Sequence, residues 1–219
     1  MEVFLTHENI AQLEKLERAA LINSITGFKS LSLIGTVDTQ QQTNLAVFNS
    51  VVHLGANPAL MGFIVRPDSV ERHTLSNIEE TRYFTINHVH KQIYEQAHQT
   101  AARYGKDVSE FEACGLTPVY LNEFNSPFVK ESSIKIGLEF AERIDIALNG
   151  TILVIGKIMQ LYFPENAWCL DGYVDIEKAG TIACSGLDSY HETHRLARLG
   201  YAKPDKETTR IQLAYRTSD

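Results

Sequence analysis

A chain of 219 residues that is 44% hydrophobic and 21% charged has the size and composition of one globular domain with its own core. Its net charge of -7 excludes a general nucleic-acid binder, which needs a basic surface to match a phosphate backbone, yet it leaves room for a local basic pocket. Cys114, Cys169 and Cys184 show no CxxC spacing and cannot all pair, so they read as reduced thiols of a cytoplasmic protein. With acidic Glu2 and Glu8 and no long apolar run near the start, neither a signal peptide nor a membrane span is expected.

In chain order, Thr6 to Ile25 sets Ile10, Leu13, Leu16, Ala20 and Leu21 on one face, with Glu14, Lys15, Glu17 and Arg18 on the other. That period predicts a helix, ended by Gly27, that packs on the rest of the domain or on a second subunit. Phe28 to Val37 alternates as a strand and runs into a polar turn, Asp38 to Gln42. The next apolar run holds Leu45, Val47 and the Val51-Val52 pair and breaks at Asn57-Pro58. Leu60 to Val65 is short and rich in strand formers, which predicts a buried strand closed by Arg66-Pro67. Arg72-His73-Thr74 then precede an amphipathic segment carrying Leu75 and Ile78, with Thr74 the expected N-cap.

The first turn of a helix presents unpaired N–H groups and a partial positive charge, so Arg66, Arg72, His73 and the Thr74 hydroxyl can gather there as an anion site. The same residues also admit a solvated turn in which the arginines pair with Asp68, Glu71 and Glu79. His88 and His90 share one strand face, but two histidines without a third ligand make no metal site, and His191-x-x-His194 is no better. A helix is expected from Lys91 to Tyr104 with Ile93, Ala97 and Ala101 inward, followed by an irregular stretch to Lys130. Ile134 to Ile146 and Thr151 to Tyr162 read as two long strands joined at Asn149-Gly150. Further on, Arg195 and Arg198 lie one helical turn apart, placed either to meet an acidic substrate group or to lie in water. No GxSxG, HExxH, Walker loop or GxGxxG occurs, so neither a nucleophile elbow nor a Rossmann domain is indicated.

Taken as an ordered series, NLAVFNS, the Asn57-Pro58 turn, LMGFIV, HTLSNI and the strand ending at Asn87 resemble the flavin reductase-like family, flavoredoxin-like proteins with an FMN-binding split β-barrel. SGLDSYHETHRLARLGYAKP resembles that family's C-terminal segment, through Gly186, Asp188, Tyr190, Arg195, Arg198, Tyr201, Ala202 and Pro204. The resemblance implies a single mainly-β domain, a split barrel flanked by an N-terminal helix, a mid-chain helix and a short C-terminal helix. It also implies a homodimer with FMN at the subunit interface, the irregular stretch after Gly105 covering the flavin or the partner. The implied activity is NAD(P)H-dependent reduction of flavin, or of a small acceptor through bound FMN, with NAD(P)H visiting transiently. Arg66, Arg72, His73 and Thr74 would then hold the phosphate, and Asn49, Ser50, Val51 and Val52 would line the isoalloxazine largely through backbone groups. Tyr190 and His191 would stand where the nicotinamide stacks, and no catalytic side chain is needed because the flavin carries the chemistry. Alternatives within the same resemblance are an electron-transfer flavoprotein without NAD(P)H activity, a pyridoxamine-phosphate-oxidase-like enzyme, and a non-catalytic split-barrel interaction protein.

Overall fold

The computed structural model describes residues 1–67 and 73–216. Thr6 caps α1 (His7–Gln12) in a reciprocal box with Asn9, and α2 runs Lys15–Ile25. The single helix expected over Thr6 to Ile25 is therefore broken. Leu13 turns extended, and Arg18 donates to the carbonyls of Ala11 and Leu13 beside the break. Neither helix buries a residue, so the apolar stripe stays outside the core.

After Gly27, at φ +83°, come β1 (Lys29–Ser30), β2 (Ser32–Val37), β3 (Thr43–Phe48), β4 (Val52–Ala56) and β5 (Ala59–Val65). What looks like one apolar run is two strands, because the chain turns at Asn49, Ser50 and Val51 before it turns again at Asn57-Pro58. Then follow α3 (His73–Thr81), β6 (Tyr83–His88), α4 (Tyr94–Gln99), α5 (Glu110–Ala113), β7 (Pro118–Val119) and β8 (Phe128–Val129). α4 is shorter than its apolar period suggests. Ile93 and Ala97 are buried, but Ala101 is exposed beyond Thr100, whose hydroxyl caps the carbonyl of Ala97.

β9 (Lys135–Ile146) and β10 (Thr151–Tyr162) form the long hairpin, with Gly150 at φ +71° in its turn. The chain ends in β11 (Ala183–Ser185), β12 (Ser189–His191), β13 (Arg198–Leu199) and β14 (Arg210–Ile211). The short C-terminal helix does not form. Tyr190 and its neighbours pair with β11 as a strand, and the following residues stay irregular up to β13.

One antiparallel sheet organises the molecule, in the order β3-β2-β6-β9-β10-β5-β4. β3 and β4 lie at its opposite edges, yet only Asn49, Ser50 and Val51 join them. The four steps from Phe48 to Val52 span at most about 14 Å, so the edges must meet and the sheet curls into a barrel. Its interior is packed by Ile34, Phe63, Phe84, Ile86, Leu138 and Val154. Phe84 lies so close over Gly156 that a Cβ there would stand 2.6 Å from its Cζ, which makes glycine a packing requirement at that position. β2 is buried along its whole length because its other face meets a second core, with Leu33, Leu45, Val89, Ile93 and Phe111 under α4 and α5. Burying each such side chain contributes about 1.5–3 kcal/mol.

Candidate functional site

A cleft of about 700 Å³ opens beside the barrel closure. Its apolar wall is Ala46, Val47 and Phe48 of β3 with Ile64 and Val65 of β5. The closure itself is side-chain work. The Ser50 hydroxyl donates to the carbonyl of Ile64 and accepts from its N–H, both at 3.1 Å, taking the place of a missing strand rung. Asn49 Nδ2 donates to the Gly186 carbonyl at 3.1 Å, tying the turn to the β11–β12 hairpin. Both side chains are thus spent on holding the turn, and what they leave to the cleft is a fixed backbone.

Beside that wall, α3 begins at His73. Thr74 is its second residue and not the N-cap, and only 6% of it is exposed. Its Oγ1 accepts from Asn44 Nδ2 at 3.1 Å, while Asn44 and Asn77 both donate to Thr36 Oγ1 at 3.1 Å. The Thr74 hydroxyl proton therefore has no acceptor among the described residues, and Thr74 lines the cleft. Such a donor, at the start of a helix whose first-turn N–H groups lack intrahelical partners, suits an anion.

Charge points the same way. Arg66, Arg103 and Lys106 line the cleft, and among the described residues none of them makes an ion pair. Among the described residues the carboxylate in the lining is Glu110, which is buried and accepts the N–H of Leu45 at 3.0 Å. Burial pushes its pKa up, against the pull of that hydrogen bond and of nearby His73. Also in the lining, Tyr190 meets His98 Nδ1 through its hydroxyl at 2.5 Å, with the two rings edge to face.

The cleft thus gathers Asn49, Ser50, Arg66, His73, Thr74 and Tyr190 of the residues singled out in the sequence. Val51 and Val52 are not among them. Val51 packs against the barrel core, and Val52 is exposed on edge strand β4. His191 turns away to Ser185 Oγ at 2.9 Å and to the Phe28 ring. Arg72 lies outside the described residues. Reading the sequence missed Arg103, Lys106, Glu110 and His98, although Ala-Arg-Tyr-Gly-Lys at 102–106 carried a hint in its two cations around Tyr104-Gly105.

Arg195 and Arg198 are not free to meet a substrate. Arg195 bonds Asp175 and reaches Glu177 at 3.3 Å, and Asp175 also accepts the Tyr215 hydroxyl at 2.7 Å. Arg198 pairs with Asp171 at 2.7 Å and lies 4.0 Å over the Tyr173 ring. Among the described residues no group of three metal-ligating side chains occurs. His88 Nδ1 faces Thr181 Oγ1 at 3.1 Å, and His90 Nε2 donates to the Glu131 carbonyl at 2.7 Å. Nor is any helix among them long and apolar enough to cross a membrane.

Residues 28–175, more than half of the chain, match the family model for a flavin reductase like domain. Among solved structures, a candidate flavin reductase with a split barrel domain from Shewanella frigidimarina NCIMB 400 is 53% identical, with a TM-score of 0.88 over 92% of this chain and 100% of that one. Nitrilotriacetate monooxygenase component B from Bacillus cereus is 20% identical at TM-score 0.80, over 91% of this chain and 100% of its own. Flavoredoxin of Desulfovibrio vulgaris (Miyazaki F) is 23% identical at TM-score 0.67, over 81% and 91%. At those identities the last two speak for the fold alone. With its split barrel and its matched domain, this chain belongs to the flavin reductase-like family and is a flavin-related oxidoreductase.

Proposed function

We propose that the cleft binds FMN and that the protein reduces flavin, or a small acceptor through the bound flavin, with NAD(P)H as a transient reductant. The observation that carries this reading is the charge of the cleft. In a chain of net charge -7, it collects Arg66, Arg103 and Lys106, next to the Thr74 hydroxyl, with no carboxylate partner for the cations and no acceptor for that hydroxyl among the described residues. Such a concentration of positive charge attracts a dianionic phosphate. The volume of about 700 Å³ lies in the usual range for cofactor sites, and the apolar wall from Ala46 to Phe48 suits a flat ring system.

In this arrangement Arg66, His73 and Thr74 hold the phosphate. The turn at Asn49 and Ser50 offers backbone groups to the ring, kept rigid by the bonds to Gly186 and Ile64. Tyr190, braced by His98, bounds the space left for a reductant or acceptor. Bound there, the flavin supplies the redox chemistry, and the protein orients it and limits access. A second copy of the chain is proposed to cover the outer sheet face beside Ile64, where Val52, Leu54 and Ile144 are exposed.

The test uses purified protein loaded with FMN. Anaerobic addition of NADPH or NADH is expected to bleach the flavin absorbance rapidly, and a flavin left oxidised by both would sink the NAD(P)H assignment. Titrated by fluorescence quenching, FMN is expected to bind about tenfold or more tightly than riboflavin, and Thr74→Ala to reduce that preference. Equal affinity for the two ligands would remove the phosphate site. Light scattering of the same sample is expected to give twice the chain mass of 24.6 kDa, and a monomer would remove the second copy.

A further inference from the structure

We infer that Lys106 completes the anion site beside the start of α3, forming with His73 and Thr74 a clamp that reads the phosphate of FMN. This rests on the FMN reading above and adds to it a residue that reading the sequence missed. Lys106 and His73 border two cavities at once, the main cleft and a side cavity of about 20 Å³ that also touches Asn44 and Asn77. Residues that share both cavities are neighbours across the partition between them, so Lys106 stands beside the start of α3.

Its position is built in. Thr43 Oγ1 and Ser109 Oγ lie 2.6 Å apart, and Glu110 accepts the Leu45 N–H at 3.0 Å, which fastens the chain just after Lys106 to β3. β3 also carries Asn44, the residue that orients Thr74. The two sides of the clamp are therefore referenced to one strand. Among the described residues, the acids that border these cavities do not consume the lysine. Glu110 is engaged by β3, and Asp38, which borders the side cavity, accepts the N–H groups of Gln40 and Gln42, each at 2.8 Å. Among the described residues Lys106 makes no ion pair. An exposed ammonium beside a buried carboxylate and a helix start offsets the local negative charge of Glu110 and leaves a net attraction for phosphate.

The experiment compares FMN and riboflavin binding by fluorescence quenching in wild type, Lys106→Ala, Lys106→Arg and Thr74→Ala. Lys106→Ala is expected to weaken FMN about tenfold or more and to leave riboflavin unchanged, while Lys106→Arg keeps most of the affinity. Lys106 is exposed, so these variants are expected to fold, with a circular dichroism spectrum like wild type. If Thr74→Ala weakens FMN selectively while Lys106→Ala weakens neither ligand, or both equally, the clamp is overturned and the FMN reading stands. If wild type does not distinguish the two flavins, both fall together.

Discussion

At the cleft, Arg66, Arg103 and Lys106 face open space with no carboxylate partner among the described residues, whereas Arg195 and Arg198 are engaged by Asp175, Glu177 and Asp171. In sequence the two sets look alike, a few cations near acids and next to an expected helix. In the fold they do opposite things. The C-terminal set spends its charge inside the chain, tying residues 171–177 to the returning segment that brings Tyr215 onto Asp175. The cleft set has no such partner among the described residues, and the proposed phosphate is what would meet it. A cation therefore says little about binding until the partners that would neutralise it have been located.

Breaking the tied end has the largest expected effect. Asp175 is 2% exposed and accepts from Tyr215, from the N–H of Lys178 and from Arg195. Asp175→Ala leaves those donors unpaired, at a cost of about 3 kcal/mol or more, read from the urea midpoint. The FMN-to-riboflavin preference is expected not to move. A wild-type midpoint would show that the knot only decorates the surface.

Acid sharpens the contrast further. Burial lowers the pKa of His88 from 6.5 to about 4, so its neutral form is the one the fold accepts. That contribution is fully present above the unfolded value of about 6.5 and is lost as pH falls to about 4, at most about 3 kcal/mol. For Asp175, burial alone would raise the pKa, but the hydrogen bonds from Tyr215, Lys178 and Arg195 outweigh it and hold the carboxyl below its ordinary value. Its contribution is therefore present above the ordinary carboxylate range and lost only as pH falls below about 4. His88→Gln is expected to flatten stability between pH 6.5 and 4 while leaving the decline below that window in place. A mutant that follows the wild-type curve through the window would assign the loss elsewhere.

The smallest effect belongs to the cleft. Arg66 is exposed and unpaired among the described residues, so Arg66→Ala is expected to shift the melting temperature of the flavin-free protein by less than about 2 °C. A larger loss would mean that its charge is already used to hold the fold, and the contrast with Arg195 would close.

Where the chain was legible, the cause was local. β9 and β10 carry alternation over twelve residues each, with Asn149-Gly150 at the turn, and the structure follows the expected bounds almost residue for residue. Ser50 was read as a flavin-lining residue and does line the cleft, but nothing in its neighbourhood announces that its hydroxyl would serve as a strand rung for Ile64. The break between α1 and α2 was hidden because the apolar period continues across Leu13 while the backbone does not. The family resemblance implied a short helix after Tyr190, yet pairing of β12 with β11 and the pull of buried Asp175 on Arg195 set an irregular path.

By itself, then, the sequence determined the strand periods, the hairpin turn, the placement of Thr74 near a helix start and the family, since each depends on residues close together in the chain. Tertiary structure alone decided which charges are free. Ion pairing and burial are settled by groups many residues apart, such as Asp175 with Tyr215 or Glu110 with Leu45, and these meet only once the barrel has closed.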